Sequence, residues 1–168
     1  MLADELTRTN SVDTETFRLR RFVERLIAED EVEIHDQAVP LIELGSHLDG
    51  NAKAVLFRQA GPERTEVVGN VLGSRERIAH AFDAAPRDLA AEVMKRLDSP
   101  QPVIEIPSSE APVHQIIQTG DDADLTSLPS HVQHGFDGGP YISSGIDFTV
   151  DAETGWTNVG SRRLMLRS

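Results

Sequence analysis

Residues 128–165 read LPSHVQHGFDGGPYISSGIDFTVDAETGWTNVGSRRLM, and the fold turns on this stretch. Asp137-Gly138-Gly139-Pro140 has the composition of a tight turn. Tyr141 to Val150 alternates β-type residues, Asp151 to Gly155 is loop-like, and Trp156 to Leu166 alternates again. That pattern predicts a β-hairpin taken from a sheet or barrel. Side chains alternate along a strand, so Arg162 and Arg163 are expected on opposite sides. One guanidinium could bind an anion on a covered face. The plainer reading is a pair of surface arginines that protects an edge strand. Asn158, near the start of the same strand, offers an amide oxygen, a hard donor suited to Mn²⁺ or Mg²⁺. It is equally a common turn residue.

Moving outward, His131 and His134 stand three apart in a loop, an incomplete set for a metal. Solvated or structural histidines are the simpler account. Asp121, Asp122 and Asp124 form an acidic run without the glycine and terminal glutamate of an EF-hand, which favours a solvated loop. Asp137-Gly138-Gly139 reads as turn chemistry rather than a phosphate cradle. Val113 to Thr119 reads as a strand. Pro100, Pro102, Pro107 and Pro112 deny helix to the preceding segment and mark a domain boundary.

Before that boundary, strand and helix alternate, as in a small α/β layer domain. Phe17, Leu19, Phe22, Val23, Leu26 and Ile27 make one helical stripe, predicting a helix over 14–28 capped by Asp13 or Thr14. Val32 to His35 reads as a strand, and Pro40 to Leu48 as a short helix closed by Gly50. Ala54 to Phe57 is a compact buried strand, turned by Gly61-Pro62 onto a partner over 66–72. Ser74 starts one helix. Pro86 stands in the first turn of the next, which carries Leu89, Val93, Met94 and Leu97. The predicted organisation is a flexible N-terminus over 1–12, an α/β domain over 13–110 and the start of a β-barrel over 113–168.

The 168 residues carry 16 Lys+Arg against 28 Asp+Glu, a formal charge of −12. Such a chain repels phosphate backbones and anionic bilayers, which argues against a nucleic-acid or membrane partner. Cysteine is absent. That excludes a disulfide framework, thiolate metal sites and thiol catalysis within this stretch, and fits a cytoplasmic setting. No apolar run approaches a membrane span. MLADELTRTNSVDTE lacks the basic and apolar regions of a secretory signal.

Taken whole, the sequence resembles the UbiD family of prenylated-FMN-dependent decarboxylases. The resemblance rests on Leu128-Pro129, a histidine at 131 or 134, Asp137-Gly138-Gly139, Tyr141-Ile142-Ser143-Ser144-Gly145, and Thr157-Asn158-Val159-Gly160-Ser161-Arg162-Arg163. Upstream, FRLRRFVERLIAEDEV, AVLFRQ and PVIEIPSSEAPVHQII look like the family's small N-terminal domain. The resemblance implies an α+β chain: that N-terminal α/β domain followed by the start of an FMN-binding split β-barrel. It implies prenylated FMN and Mn²⁺ or another divalent cation as cofactors, with K⁺ as a further candidate. The substrate would be an aromatic, heteroaromatic or α,β-unsaturated carboxylic acid. Asn158 matches the metal-binding asparagine. Ser161, Arg162 and Arg163 match the stretch that contacts the flavin. Arg163 matches the arginine of the family's catalytic Glu–Arg–Glu network, and Ser144 a hydroxyl beside the cofactor. Relatives are much longer and usually homo-oligomeric. Their other metal ligands and both catalytic glutamates lie beyond Ser168, so these residues alone are expected to be inactive. The competing readings are a non-catalytic binding or assembly module that needs a partner chain, and an unrelated flavin-reductase-like split barrel. The Asn158 to Arg163 spacing disfavours the latter.

Overall fold

The computed structural model describes residues 18–99 and 106–167. The expected flexible N-terminus, the Asp13 or Thr14 cap, and Pro100 and Pro102 lie outside them. Helix α1 (Leu19–Ala28) starts later than the stripe suggested. Arg18 at its N-cap is extended and makes no side-chain cap. Its buried face is Phe22, Val23 and Leu26.

Strand β1 (Val32–Val39) runs parallel to β2 (Ala54–Ala60), which pairs antiparallel with β3 (Thr65–Gly69). Parallel pairing requires a crossover. Here it is a 3₁₀ turn (Leu41–Glu43) running into the short helix α2 (Leu44–Leu48). Gly50, at φ 68°, lies just past the end of that helix, as expected. β2 is the central strand, and Ala54, Val55, Leu56 and Phe57 are all buried. An unbroken apolar run suits this place, because both faces of the strand are covered. On one face Phe22 and Leu26 of α1 pack with Val32, Ala54 and Leu56. On the other, Leu44 of α2 packs with Val39, Val55 and Phe57.

Two helices complete this half, α3 (Arg75–Ala81) and α4 (Leu89–Leu97). Ser74 caps α3 by accepting the Arg77 N–H. The α4 helix begins three residues after Pro86, with Asp88 at its N-cap. Arg77 is only 3% exposed and is the buried charge of the core. It donates to the carbonyls of Ala52 (2.7 Å) and Asn70 (3.2 Å), and lies 3.4 Å from Glu31. One guanidinium thereby ties the start of β2, the end of β3 and the end of α1 together.

The second half departs from expectation at its start. Val113 to Thr119 is not a strand. Ser108–Glu110 and Pro112–His114 form 3₁₀ turns, followed by bends, and Val113, Ile116 and Ile117 are 78%, 82% and 70% exposed. β propensity expresses packing against neighbouring strands, and no described strand lies beside these residues. Further 3₁₀ turns at Gly120–Asp122 and Leu125–Ser127 carry the chain to β4 (Tyr141–Val150) and β5 (Thr157–Met165). Among the described strands these two pair only with each other, and Tyr141 adds an isolated antiparallel bridge to His131. The sheet in this half is therefore one hairpin, and a closed barrel is not formed by the described residues.

Candidate functional site

The hairpin ladder sets which side chains meet. Gly145 pairs with Arg162, Asp147 with Gly160 and Thr149 with Asn158. Closer to Tyr141, Ile142 pairs with Leu164 and Tyr141 with Met165. Between these two stretches β4 advances three residues while β5 advances two. Ser143 and Ser144 therefore form a β-bulge opposite Arg163. Alternation then sorts β5: Asn158, Gly160, Arg162 and Leu164 share one face, and Ser161 and Arg163 the other.

On the first face, Arg162 Nε donates to Asp147 Oδ1 at 3.0 Å, diagonally across Gly160. A Cβ at position 160 would lie 2.7 Å from that Asp147 oxygen and 3.2 Å from Arg162 Nε. Glycine is thus what lets the pair lie across the strand. It leaves a floor without a side chain between Asn158 at one end and Arg162 at the other.

On the second face, Arg163 borders a small polar cleft of about 230 Å³ with Gln133, His134, Asp137 and Tyr141. The loop that forms its wall is closed by Asp137, whose Oδ2 accepts the backbone N–H of Gln133 (3.0 Å) and of His134 (2.9 Å). Tyr141 N–H donates to the His131 carbonyl at 3.2 Å, fastening the same loop to β4. Burial holds the His131 imidazole below the ordinary histidine pKa, opposed by a backbone hydrogen bond at Pro129. A larger cleft of about 940 Å³ runs between the two halves of the chain. Leu48, Phe57 and Val67 form part of one wall, and His131, Ser143 and Ser144 part of the other.

Two family models cover these elements in order. Residues 24–97 match the N-terminal domain, and residues 104–168 the Rift-related domain, of 3-octaprenyl-4-hydroxybenzoate carboxy-lyase. The chain belongs to the UbiD family.

Among UbiD relatives, ferulic acid decarboxylase 1 of Saccharomyces cerevisiae is 28% identical, over 88% of this chain and 33% of its own. Anhydromevalonate phosphate decarboxylase of Methanothermobacter thermautotrophicus is 24% identical, over 88% of this chain and 34% of its own. Among solved structures, the UbiD-class enzyme HmfF of Pelotomaculum thermopropionicum, in complex with prFMN, is 25% identical with a TM-score of 0.77. That match covers 87% of this chain and 35% of HmfF. Vanillic acid decarboxylase of Sedimentibacter hydroxybenzoicus is 26% identical with a TM-score of 0.73, over 88% of this chain and 36% of its own. The chain spans about a third of the length of the relatives it matches.

The residues singled out from the UbiD resemblance do not converge on one point. Asn158 and Arg162 lie on one face of the hairpin, Ser161 and Arg163 on the other, and Ser144 in the bulge between. A flavin phosphate with a divalent ion needs a cation, a hard oxygen donor and close backbone. The Asn158–Gly160–Arg162 face offers all three, so the donor set fits that group in part. Asp147 escaped the sequence reading, and Asp137, read there as turn chemistry, closes the loop through the Gln133 and His134 N–H groups. Pairing the hairpin from the expected five-residue loop would set Asp147 opposite Val159; the observed pairing starts at Val150 and Thr157 and sets it opposite Gly160. Asp124 and Asp151 turn out to be local. Each accepts hydrogen bonds from the threonine two or three residues on, which hold its carboxyl below the usual range. Among the described residues no group of three or more His, Cys, Asp or Glu could hold a metal, and no helix is long and apolar enough to cross a membrane.

Proposed function

We propose that this chain is the N-terminal portion of a reversible, non-oxidative carboxy-lyase. It would act on an aromatic, heteroaromatic or α,β-unsaturated carboxylic acid with prenylated FMN and a divalent cation such as Mn²⁺, in the cytoplasm. The observation that carries this reading is the hairpin. An asparagine, a side-chain-free glycine and an arginine share one face of it, and the matched HmfF structure is a complex with prFMN. When bound, the flavin supplies the electron sink for loss of CO₂. The chain's own residues bind and orient. Asn158 donates an oxygen to the divalent ion, with K⁺ as a further candidate for the same end of the flavin. Arg162 and the hydroxyls of Ser144 and Ser161 contact the cofactor. Arg163, facing the polar cleft, orients a substrate carboxylate, for which its planar fork is suited.

The reading also holds that residues 1–168 alone do not complete the site. Ile146, Phe148, Val150 and Val159 share the Arg163 face of the hairpin and are all largely exposed. An apolar face of that kind wants cover. That same observation supports the second reading, an assembly module completed by a partner polypeptide. In the full-length form a homo-oligomer is expected. The test is reconstitution of the purified chain with FMN, prenylated FMN and MnCl₂. Flavin fluorescence quenching that Asn158→Ala weakens is expected, with no CO₂ released from cinnamate-type or hydroxybenzoate-type acids. Absence of any flavin binding overturns the cofactor assignment, and CO₂ release overturns the incompleteness.

A further inference from the structure

Three rings meet where α2 lies on the sheet. His35 of β1 stands beside Phe57 of β2 in the parallel register, and its ring stacks on Phe57 with centroids 5.2 Å apart. His47 of α2 meets both edge-on, at 4.5 Å from His35 and 5.8 Å from Phe57. Uncharged rings pack well in this way. Glu33, two residues before His35 and so on its face, accepts from His35 Nε2 at 2.7 Å on Oε1 and from the Asn51 amide at 2.9 Å on Oε2. The Asn51 amide and the His35 ring hold the Glu33 carboxyl below its ordinary range. It is therefore charged throughout the pH range in which histidines titrate. Among the described residues no hydrogen bond or ion pair reaches the His47 ring. The other elements around the pair bring it no second counter-charge. Arg58 and Glu66 pair on the opposite face of β2 and β3, and Lys53 is taken by Asp30. Glu43 and Asp49, at the two ends of α2, are exposed and bond neither ring. The loop packed on α2 at Gly45 carries His131 and His134, the latter 3.8 Å from Asp137.

We infer that His35 and His47 form an acid-sensitive latch that seats α2 on the sheet. One proton on the pair is answered by Glu33. A second puts two like charges on rings 4.5 Å apart, with one carboxylate to answer both. Lifting α2 separates the rings and lets both charge in water, so the lifted form holds one more proton than the seated form. By linkage, acid favours lifting and neutral pH favours seating. More than one turn of helix depends on that seat. The Leu48 carbonyl accepts the Asn70 amide at 2.7 Å, and Gly45 lies against the Gln133 carbonyl. Leu48 also lines the cleft between the two halves. Acid thus loosens that wall of the cleft, while β2 keeps its partners on both sides.

The experiment is amide exchange of the 168-residue chain from about pH 7.5 to about pH 5, corrected for intrinsic exchange. The Asp49 amide, bonded to the Gly45 carbonyl at 2.9 Å, reports on α2. Its protection is expected to fall by about tenfold per pH unit below the histidine range, the slope of one extra proton. Leu56 and Phe57 of β2 should stay protected over the same range. His35→Gln and His47→Gln, each of which leaves a single ring, should both flatten the profile. Glu33→Gln, which removes the answering charge, should steepen it. His131→Asn, which alters the loop and leaves the latch intact, should not change it. A flat wild-type profile, or one that Leu56 and Phe57 share, overturns the inference, and this comparison needs no variant to fold. A slope that survives in either histidine variant, fails to steepen in Glu33→Gln or disappears in His131→Asn overturns it as well.

Discussion

Gly45 on α2 lies against the carbonyl of Gln133, so closely that a Cβ on the glycine would stand 2.9 Å from that oxygen. This contact joins the N-terminal half to the loop that walls the Arg163 cleft. Gly45→Ala must push the loop away, and backbone cannot yield as a flexible side chain does. The expected cost is about 1–3 kcal/mol of stability, with faster amide exchange at Gln133 and His134. Calorimetry and exchange measured on the same sample test both parts. An unshifted melting temperature with unaltered loop amides shows the contact to be dispensable.

Asp137 closes that same loop through two backbone N–H groups. Asp137→Ala leaves both donors without their acceptor, at an expected cost of about 1–3 kcal/mol. Asp137→Asn keeps an acceptor oxygen and should recover part of it. In nitrogen relaxation spectra the alanine variant should show residues 131–137 mobile on a fast timescale, with β4 and β5 still ordered. If the loop stays rigid, the closure comes from elsewhere.

Arg77 makes a prediction about the first half. Arg77→Met keeps much of the side chain's bulk but strands the carbonyls of Ala52 and Asn70. Each unsatisfied buried acceptor costs roughly 1–3 kcal/mol, so a loss of about 2–4 kcal/mol is expected. Denaturant titration reads it directly. A change within error would mean that water reaches those carbonyls once the guanidinium is gone.

His131 gives the loop a pH dependence. Burial places its folded pKa below that of the unfolded chain, so between the two values the unfolded state binds more protons. Its contribution is complete above the ordinary histidine pKa of about 6.5 and is lost as pH falls through the folded value. The Tyr141 amide, bonded to the His131 carbonyl, should lose protection on acidification from neutral pH, after correction for intrinsic exchange. His131→Asn should flatten that profile. A flat profile in the wild type refutes the link.

Much of the fold was legible because local chemistry and tertiary packing agree. Ala54 to Phe57 is apolar without a break and is the strand buried on both faces. Ser74 caps its helix through its own hydroxyl. The hairpin itself was legible, but its pairing starts at Val150 and Thr157, one residue beyond the expected Asp151–Gly155 loop, and a slip of one residue exchanges which side chains share a face. Val113 to Thr119 misled because β-branched residues signal a strand only where a neighbour exists to pair with. The start of α1 misled because Arg18 turns extended although the stripe runs through it. At the site, alternation separated Arg162 from Arg163 correctly. It could not find the bulge, which returns Tyr141 to the face of Ile146 and Phe148. It also could not show that Asp147 and Arg162, 15 residues apart, would meet over a glycine.

The bulge allows shape and chemistry to be separated by chain length alone. Because Ser143 and Ser144 together stand opposite Arg163 alone, removing either serine would leave one residue facing one and make the ladder regular. The faces on both sides of the deletion would keep their present assignment, with Tyr141 still beside Arg163. Substituting Ser144 by alanine removes a hydroxyl and keeps the kink. Deleting Ser143 keeps a hydroxyl and removes the kink. A pair of variants that differ by one atom in the first case and one residue in the second thus distinguishes a strand bent to make a cavity from a strand that carries a functional group into it.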